Sequence, residues 1–519
     1  MQAPRIRPLS ALTPLALLGG VLVLASTATA GSVHRVDGDV TEWAALSPIA
    51  TDPAGDANDN FDVTTLYADS EGSTLFLQFD TTVVSNLPAG SASDGDLIIE
   101  IGLPGGSTLS LDFRGRSASL SGGGSFNWPD IGFTTAPTFA ANLYEARVDL
   151  SSFGVGVGDQ LTLDFAGSDT LSGGPVNFTM TGPALTDARR TAAKDAMTTF
   201  RIASLNTKSD GLLSGGSRQS QFGRLIDAVD AEVYCFQEEW NDSASGIASF
   251  INSIDPLGDG ANWSAHKVNG TIVVARGSIT PLSELNNRYS AAIVEPIGGM
   301  PVLVISAHLK CCGFIGSTED NTRIGQANDI VSTIDSLRNA GPGSSLEPFK
   351  DAPVIVVGDY NLVGSVTPEA IIENDAIPSM ARWLLPHQIG ESIVTWQSPT
   401  SSFWPGTLDV LIHTDTDLQR RNGFILNSAD LNGSELAALG LNSGDSQATD
   451  HFMLVADFAA PAAGLLGDIN GDCIVDTADL GILISAFLAP GGASDLNGDG
   501  TVDTADLGLL IGAFGSACP

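Results

Sequence analysis

Basic residues are scarce in this 519-residue chain: 23 Lys and Arg stand against 60 Asp and Glu, a formal charge of −37. Such a surface repels polyanions at long range, which argues against a bulk nucleic-acid binder held by backbone phosphates. It leaves room for an enzyme that recruits divalent cations to meet a phosphate. Long apolar runs are also missing beyond the N-terminus. No segment after residue 30 supplies the roughly 18 uninterrupted apolar residues of a membrane span, so none is expected in the mature protein. Cysteine is sparse and odd in number, five in all, so at least one is unpaired or bonded to another molecule. Cys235 lies in the apolar run VYCF and reads as a buried free thiol. The adjacent Cys311 and Cys312 fit a strained vicinal disulfide, two free thiols, or one of each.

Length alone predicts several domains, because a single hydrophobic core stops growing well short of 519 residues. Residues 1–30 carry Arg5 and Arg7, an apolar run interrupted by Pro14, and Ala28-Thr29-Ala30 before Gly31. That is the layout of a secretory signal peptide. Its removal takes the formal charge to −39 and predicts a secreted protein, extracellular or at the cell surface.

Residues 31–185 are rich in Gly, Ser and Thr, with short alternating runs such as TLFLQFD and LTLDFAG, and read as an all-β sandwich. The opening VDGDVTEWAAL, followed by DPAGDANDNFDVTTLYA, resembles secreted β-sandwich modules of the carbohydrate-binding family 9 type, which implies a polysaccharide partner. Asp52, Asp56, Asp59 and Asp62 fit either a calcium site or an acidic solvated loop. A charged linker, ALTDARRTAAKDAMTTF, reads as a short helix. In residues 199–458 the pattern changes to strand, helix, strand. FRIASLN and AEVYCFQEE flank a helix with Phe222, Leu225, Ile226 and Val229 at helical spacing, and PVLVISAHL and APVIVVGDYN flank one with Ile330, Val331, Ile334 and Leu337. This predicts an α/β layered domain.

Residues 464–519 hold an internal repeat: DINGDCIVDTADLGILISAF returns 27 residues later as DLNGDGTVDTADLGLLIGAF. An EF-hand-type loop takes oxygen ligands at positions 1, 3, 5, 7, 9 and 12. The first copy supplies Asp468, Asn470, Asp472, the Ile474 carbonyl, Asp476 and Asp479; the second supplies Asp495, Asn497, Asp499, the Thr501 carbonyl, Asp503 and Asp506. With Asp at position 12 and one amphipathic helix after each loop, the segment resembles a type I dockerin. The resemblance implies a small α module that binds Ca²⁺ and docks onto a cohesin-like scaffold protein. Cys473 stands where the first loop ordinarily carries Gly, and Cys518 lies just past the second helix, so a disulfide between them is available to close the unit.

In the central region, polar residues sit at strand ends where a buried strand does not need them. They are Asn206 in FRIASLN, Glu238 in YCFQEE, His308 in VISAHLK, Asp359 and Asn361 in VIVVGDYN, Asp409 in GTLDVLIH, and Asp450 and His451 ahead of FMLVADF. Each alone fits a turn or a cap. Together and in this order they resemble the endonuclease/exonuclease/phosphatase superfamily, whose DNase I-like fold is a four-layer α/β sandwich that brings these strand ends into one cleft. The resemblance implies a metal-dependent phosphoric ester hydrolase. Glu238 is then the carboxylate ligand of Mg²⁺ or Mn²⁺, with Asn206 and Asp450 beside it. His451, oriented by Asp409, is the general base or a phosphate-contacting imidazole. Asp359 positions or deprotonates the water, Asn361 holds a phosphoryl oxygen, and His308 donates to the scissile phosphate or protonates the leaving group. No acid that would orient His308 is identifiable in the sequence.

Three functions follow from this reading. The first is a secreted phosphodiesterase or nuclease. The second is a phosphatase or sphingomyelinase-like enzyme acting on phospholipid headgroups or inositol phosphates. The third is an inactive adhesion or scaffold component, against which the complete set of strand-end residues argues.

Overall fold

The computed structural model describes residues 35–87, 95–182, 190–195, 197–258, 262–296, 300–376, 378, 380–388, 392–414, 416–459, 466–470, 472, 474–489, 494–497 and 501–517. The segment read as a signal peptide, the Cys473–Cys518 pairing and the ligand Asp499 lie outside these residues.

Alternation builds the first unit. In Leu97–Gly102, Leu97, Ile99 and Ile101 are buried while their neighbours are half-exposed, as expected of a strand with one face on a core. Two antiparallel sheets result. One runs Ala50–Thr51, Val63–Glu71, Thr74–Ser85, Ala141–Asp149, Thr134–Ala136; the other runs Val176–Thr179, Gln160–Gly167, Leu97–Gly102, Thr108–Asp112, Ser117–Leu120, Ser125–Phe126. Leu75, Leu77, Phe79 and Tyr144 of the first meet Ile99, Leu111, Leu163 and Phe165 of the second in one core.

In the central unit the strands are covered on both faces, so their polar residues are buried with the apolar ones. Strands Phe200–Asn206, Val302–His308 and Val354–Asp359 are buried at every position. The path of hydrogen-bonded strands crosses from one half to the other along Thr271–Pro281. Residues 272–275 of that strand pair with 233–236, and residues 277–281 pair with 292–296. Gly277 marks the change of partner. Its φ of +136° and the Glu295 carbonyl oxygen, 2.5 Å from where a Cβ would stand, admit only glycine. Val233, Cys235 and Val273 of one half share a core with Val304, Ile355 and Val357 of the other. The opposite face of the first half packs on helices Gly216–Val229 and Ala244–Ile254, and that of the second on Thr318–Arg338. The apolar positions read from helical spacing in Gly216–Val229 and Thr318–Arg338 are those buried.

The C-terminal repeat forms helices Thr477–Ser485 and Thr504–Ala513, each opened by a capping box, Asp476 with Asp479 and Asp503 with Asp506. Its fully buried core is Val475 and Val502 with Leu483 and Leu510, the same two positions from each copy.

One sequence expectation is corrected and one open alternative is decided. The described part of the linker, residues 190–195 and 197–199, is not helical. Its backbone is taken up by neighbouring groups instead: Arg190 N–H donates to the Gln388 carbonyl, and Asn422 Nδ2 and Arg201 Nη1 donate to the Thr191 and Ala192 carbonyls. Such contacts offer the chain an alternative to intrahelical bonds. Cys311 and Cys312, left open above, are both free thiols with their sulfurs 2.9 Å apart, and Cys235 is free and buried.

Candidate active site

Strand register assembles the centre of the site. His308 stands opposite Asp359 in a parallel pair, and Asp359 stands opposite Asp409 in an antiparallel one, so the three lie in one row across adjacent strands. Gly358 makes the row possible. Its φ is +142°, and a Cβ there would lie 2.1 Å from the Ala307 carbonyl oxygen, so any side chain would push the two strands apart. His451 completes the group. Its Nδ1 is 2.7 Å from Asp409 Oδ2, and its Nε2 is 3.9 Å from Asp359 Oδ2, while His308 Nε2 is 3.6 Å from the same Asp359 oxygen. Asn361, with φ +50°, donates its backbone N–H to Asp359 Oδ1 at 3.0 Å and its side-chain amide to the Leu309 carbonyl at 3.3 Å.

The other half of the unit contributes Asn206 and Glu238. The Asn206 amide nitrogen lies 3.1 Å from Asp359 Oδ2 and 3.2 Å from Glu238 Oε1, bridging the two carboxylates. The sequence YCFQEE offers two acids at this strand end, and they part company. Glu238, at φ +64°, lines the cleft; Glu239 is buried beneath, accepting from Thr207 Oγ1 and the Leu212 N–H. Between them they hold the turn Lys208–Ser209–Asp210, three consecutive left-handed residues, with Glu238 Oε2 accepting the Ser209 N–H at 3.0 Å. Lys208 Nζ reaches Asp450 Oδ2 at 2.8 Å.

These groups open into one cleft of about 890 Å³, whose lining includes Glu238, His308, Asp359, Asn361, Asp450 and His451. Asn206 and Asp409 stand behind that lining.

Burial and neighbouring charge separate the titrating groups. Burial opposes a charged His451, but Asp409, Asp359 and Asp450 outweigh it and raise its pKa to about 9. Burial is the main cause that lifts Asp359 to about 7; Asp409 adds to the rise, and His451, Asn206 and the Asn361 N–H hold it back. His308 goes the other way, down to about 3, through burial and the nearby Arg288 and His451. At neutral pH the site therefore holds an imidazolium at His451, a neutral imidazole at His308 and a carboxyl near its midpoint at Asp359. Among the described residues no hydrogen-bond partner meets the buried His308 Nδ1.

The donor set facing the cleft suits a hard cation: Glu238 and Asp450 offer carboxylate oxygens. Asn206 fits less directly, because it turns its amide NH₂ toward Glu238 and Asp359 while its oxygen accepts the Lys208 N–H at 3.0 Å.

Arg288, which lines the cleft, and Thr395, outside that lining, carry no signal in the sequence. Arg288, at the start of Tyr289–Pro296, donates to the Leu309 carbonyl and lies 5.8 Å from the Trp240 ring centroid. Thr395 Oγ1 accepts the N–H groups of Leu408 and Asp409, each at 2.9 Å, and so fixes the strand end that carries the His451 partner. In the sandwich, Asp52 and Asp56 gather with Asp169, which sequence reading did not single out. Asp62 instead accepts the Gly55 and Ala57 N–H groups, and Asp59 accepts from Ser168 Oγ and the Phe61 N–H. The four loop acids thus do not form one site.

In the repeat, Asp468, Asp472 and Asp479 bring one carboxylate oxygen each to within 4.8 Å of one another. Asp479 and Asp506 also accept backbone N–H groups of their own loops, among them Ile469 at 2.7 Å and Asn497 at 3.0 Å.

Residues 466–514 match the model of the dockerin type I domain. No curated protein matches the chain. Among solved structures, a humanized TDP2 of D. rerio carrying 14 mutations is 13% identical, with a TM-score of 0.31, over 50% of this chain and 98% of its own. ANGEL2, described as a 2′,3′-cyclic phosphatase, is 16% identical with a TM-score of 0.34, over 50% of this chain and 94% of its own. An endonuclease/exonuclease/phosphatase family protein from Leptotrichia buccalis C-1013-b is 12% identical with a TM-score of 0.33, over 50% and 99%. At these values the likeness assigns no activity to the chain.

Proposed function

We propose that the chain is a metal-dependent phosphodiesterase, built on a four-layer α/β sandwich of the DNase I-like kind. The observation that carries the reading is the row His308–Asp359–Asp409 with His451 on Asp409, opening into the same cleft as Glu238 and Asp450.

In this reading Glu238 and Asp450 hold Mg²⁺ or Mn²⁺, which neutralises charge on the phosphoryl oxygens when bound. The His451 imidazolium, held by Asp409, donates to a phosphoryl oxygen and stabilises the negative charge that builds there. Asn361 donates to a second oxygen. Asp359, with a pKa of about 7, is matched to the task of taking a proton from the attacking water. His308 enters the reaction neutral and donates one N–H to a phosphoryl oxygen; to protonate the leaving oxygen it first takes a proton from solvent, a step that an arriving phosphate anion favours by raising its pKa. The C-terminal repeat binds Ca²⁺ and docks the exported enzyme onto a cohesin-like partner.

The test is hydrolysis of DNA, RNA, sphingomyelin, inositol phosphates and a bis-aryl phosphodiester by the purified protein, with Mg²⁺, Mn²⁺ or Ca²⁺ and with none. Cleavage of a diester only with a divalent cation supports the reading, as does a Glu238→Gln variant that needs more metal for the same rate. No cleavage of any phosphate ester with any metal overturns it.

A further inference from the structure

We propose that the N-terminal sandwich is a wall of the catalytic cleft, and that its Arg116 binds a second phosphate on the substrate; the inference rests on the phosphodiesterase reading and narrows its substrate class.

The sandwich is interlocked with the α/β unit. Trp404, which lies just ahead of the central strand Asp409–His413 in the sequence, is buried in the sandwich core among Phe113, Trp128 and Phe133. Its Nε1 donates to Thr135 Oγ1 at 2.8 Å. Trp128 Nε1 and Thr134 Oγ1 donate to the carbonyls of Ser402 and Pro405 at 2.9 and 2.8 Å. Asn86, fully buried at the end of strand Thr74–Ser85, reaches two loops that leave the catalytic row. Its Nδ2 donates to the Val363 carbonyl at 2.9 Å, just after Asn361, and its Oδ1 accepts the Ile315 N–H at 2.8 Å, beyond His308. A tryptophan of the α/β unit thus sits in the sandwich core, and these polar pairs tie the two units together.

Arg116 sits in the turn between Thr108–Asp112 and Ser117–Leu120 with φ +49°. Its guanidinium carbon lies 3.6 Å from the centroid of the Phe403 ring, and both residues line the cleft. In a chain carrying 60 acids, no carboxylate among the described residues pairs with it. Of the other Lys and Arg side chains in the cleft, Lys208 pairs with Asp450, Arg288 donates to the Leu309 carbonyl, and Lys310 Nζ lies 3.8 Å from Cys311 Sγ. An aromatic ring on one face leaves the planar fork free to make two parallel hydrogen bonds, the geometry that suits a phosphate. A cleft of about 890 Å³ exceeds what a lone phosphate fills and is of the size that encloses an organic ligand. The rings of Trp240, Phe314 and Phe403 along it offer planar apolar surface. Together these features fit a nucleoside phosphodiester that carries a further phosphate.

The test compares binding of a nucleoside 3′,5′-bisphosphate and a nucleoside 5′-monophosphate to the full chain by calorimetry, beside hydrolysis of a bis-aryl phosphodiester. The wild type is expected to bind the bisphosphate at least tenfold more tightly. Arg116→Ala, with an unchanged melting temperature, brings that preference to within twofold, and Arg116→Lys keeps part of it because charge remains while the fork is lost. A wild type without the preference, or an Arg116→Ala variant that retains it, overturns the inference. Failure to cleave any diester, with the Arg116-dependent preference intact, would count against the phosphodiesterase reading and leave this anion site standing.

Discussion

The strand-end row of His308, Asp359 and Asp409 and the C-terminal repeat both concentrate carboxylates, yet they hold them in opposite ways. Asp359 and Asp409 are each 2% exposed and are answered by side chains from far along the chain, Asn206 from 153 residues away and His451 from 42. The acids of the repeat belong to loops twelve residues long and take the N–H groups of their own loop. The row rests on an extensive core. Among its described residues the repeat closes over four buried aliphatic side chains with six partly buried ones packed against them, a small core for some 50 residues without help. Buried charge is thus satisfied by partners that the fold delivers, while clustered local charge calls for a cation.

Removing the cation should break this contrast most sharply. Chelation is expected to melt residues 464–519, seen as loss of their helical circular dichroism, while the α/β unit keeps its thermal transition. An unchanged spectrum of that segment would remove the calcium-binding reading of the repeat. Next in size, His451→Ala should lower diester turnover by roughly 10²-fold or more in a protein that remains folded. Asp409→Asn should lose less, and the double variant little more than His451→Ala, since the two act as one unit. Full turnover by His451→Ala would refute the assigned role. The acid limb of the rate profile is a smaller effect. Asp359 is raised to about 7 and in the proposed mechanism acts as its carboxylate, so kcat/KM should fall about tenfold per pH unit as pH drops below that value. A profile flat down to about pH 5 would exclude Asp359 as the base. Smallest is Asn86→Ala, which leaves the Val363 carbonyl and the Ile315 N–H unpaired. About 1–3 kcal/mol of stability and a several-fold loss of turnover are expected, measured by denaturant unfolding and by rate.

Legibility in the sequence followed the range of each interaction. The helices were readable because Phe222, Leu225, Ile226 and Val229 repeat at the period of the helix itself. The linker misled because its polar, Ala-rich residues favour a helix only until Asn422, distant in sequence, and Arg201, in the strand that follows, capture its carbonyls. Strand-end residues such as Asp359 and His451 stood out by type and order. Nothing local distinguished Glu238 from Glu239, since direction at a strand end depends on backbone φ and on which neighbour fills the space beneath.

By itself, then, the chain's local pattern determined the sandwich strands, the α/β alternation and both loops of the repeat, because period, turn chemistry and ligand spacing act within a dozen residues. Only the tertiary structure decided that His308, Asp359 and Asp409 share one row, that Asn206 bridges two carboxylates, and that Trp404 is buried in the sandwich while Arg116 reaches the cleft. Those facts depend on register, on a glycine that lets two strands approach at residue 358, and on packing between units far apart in sequence. No short window of residues carries that information.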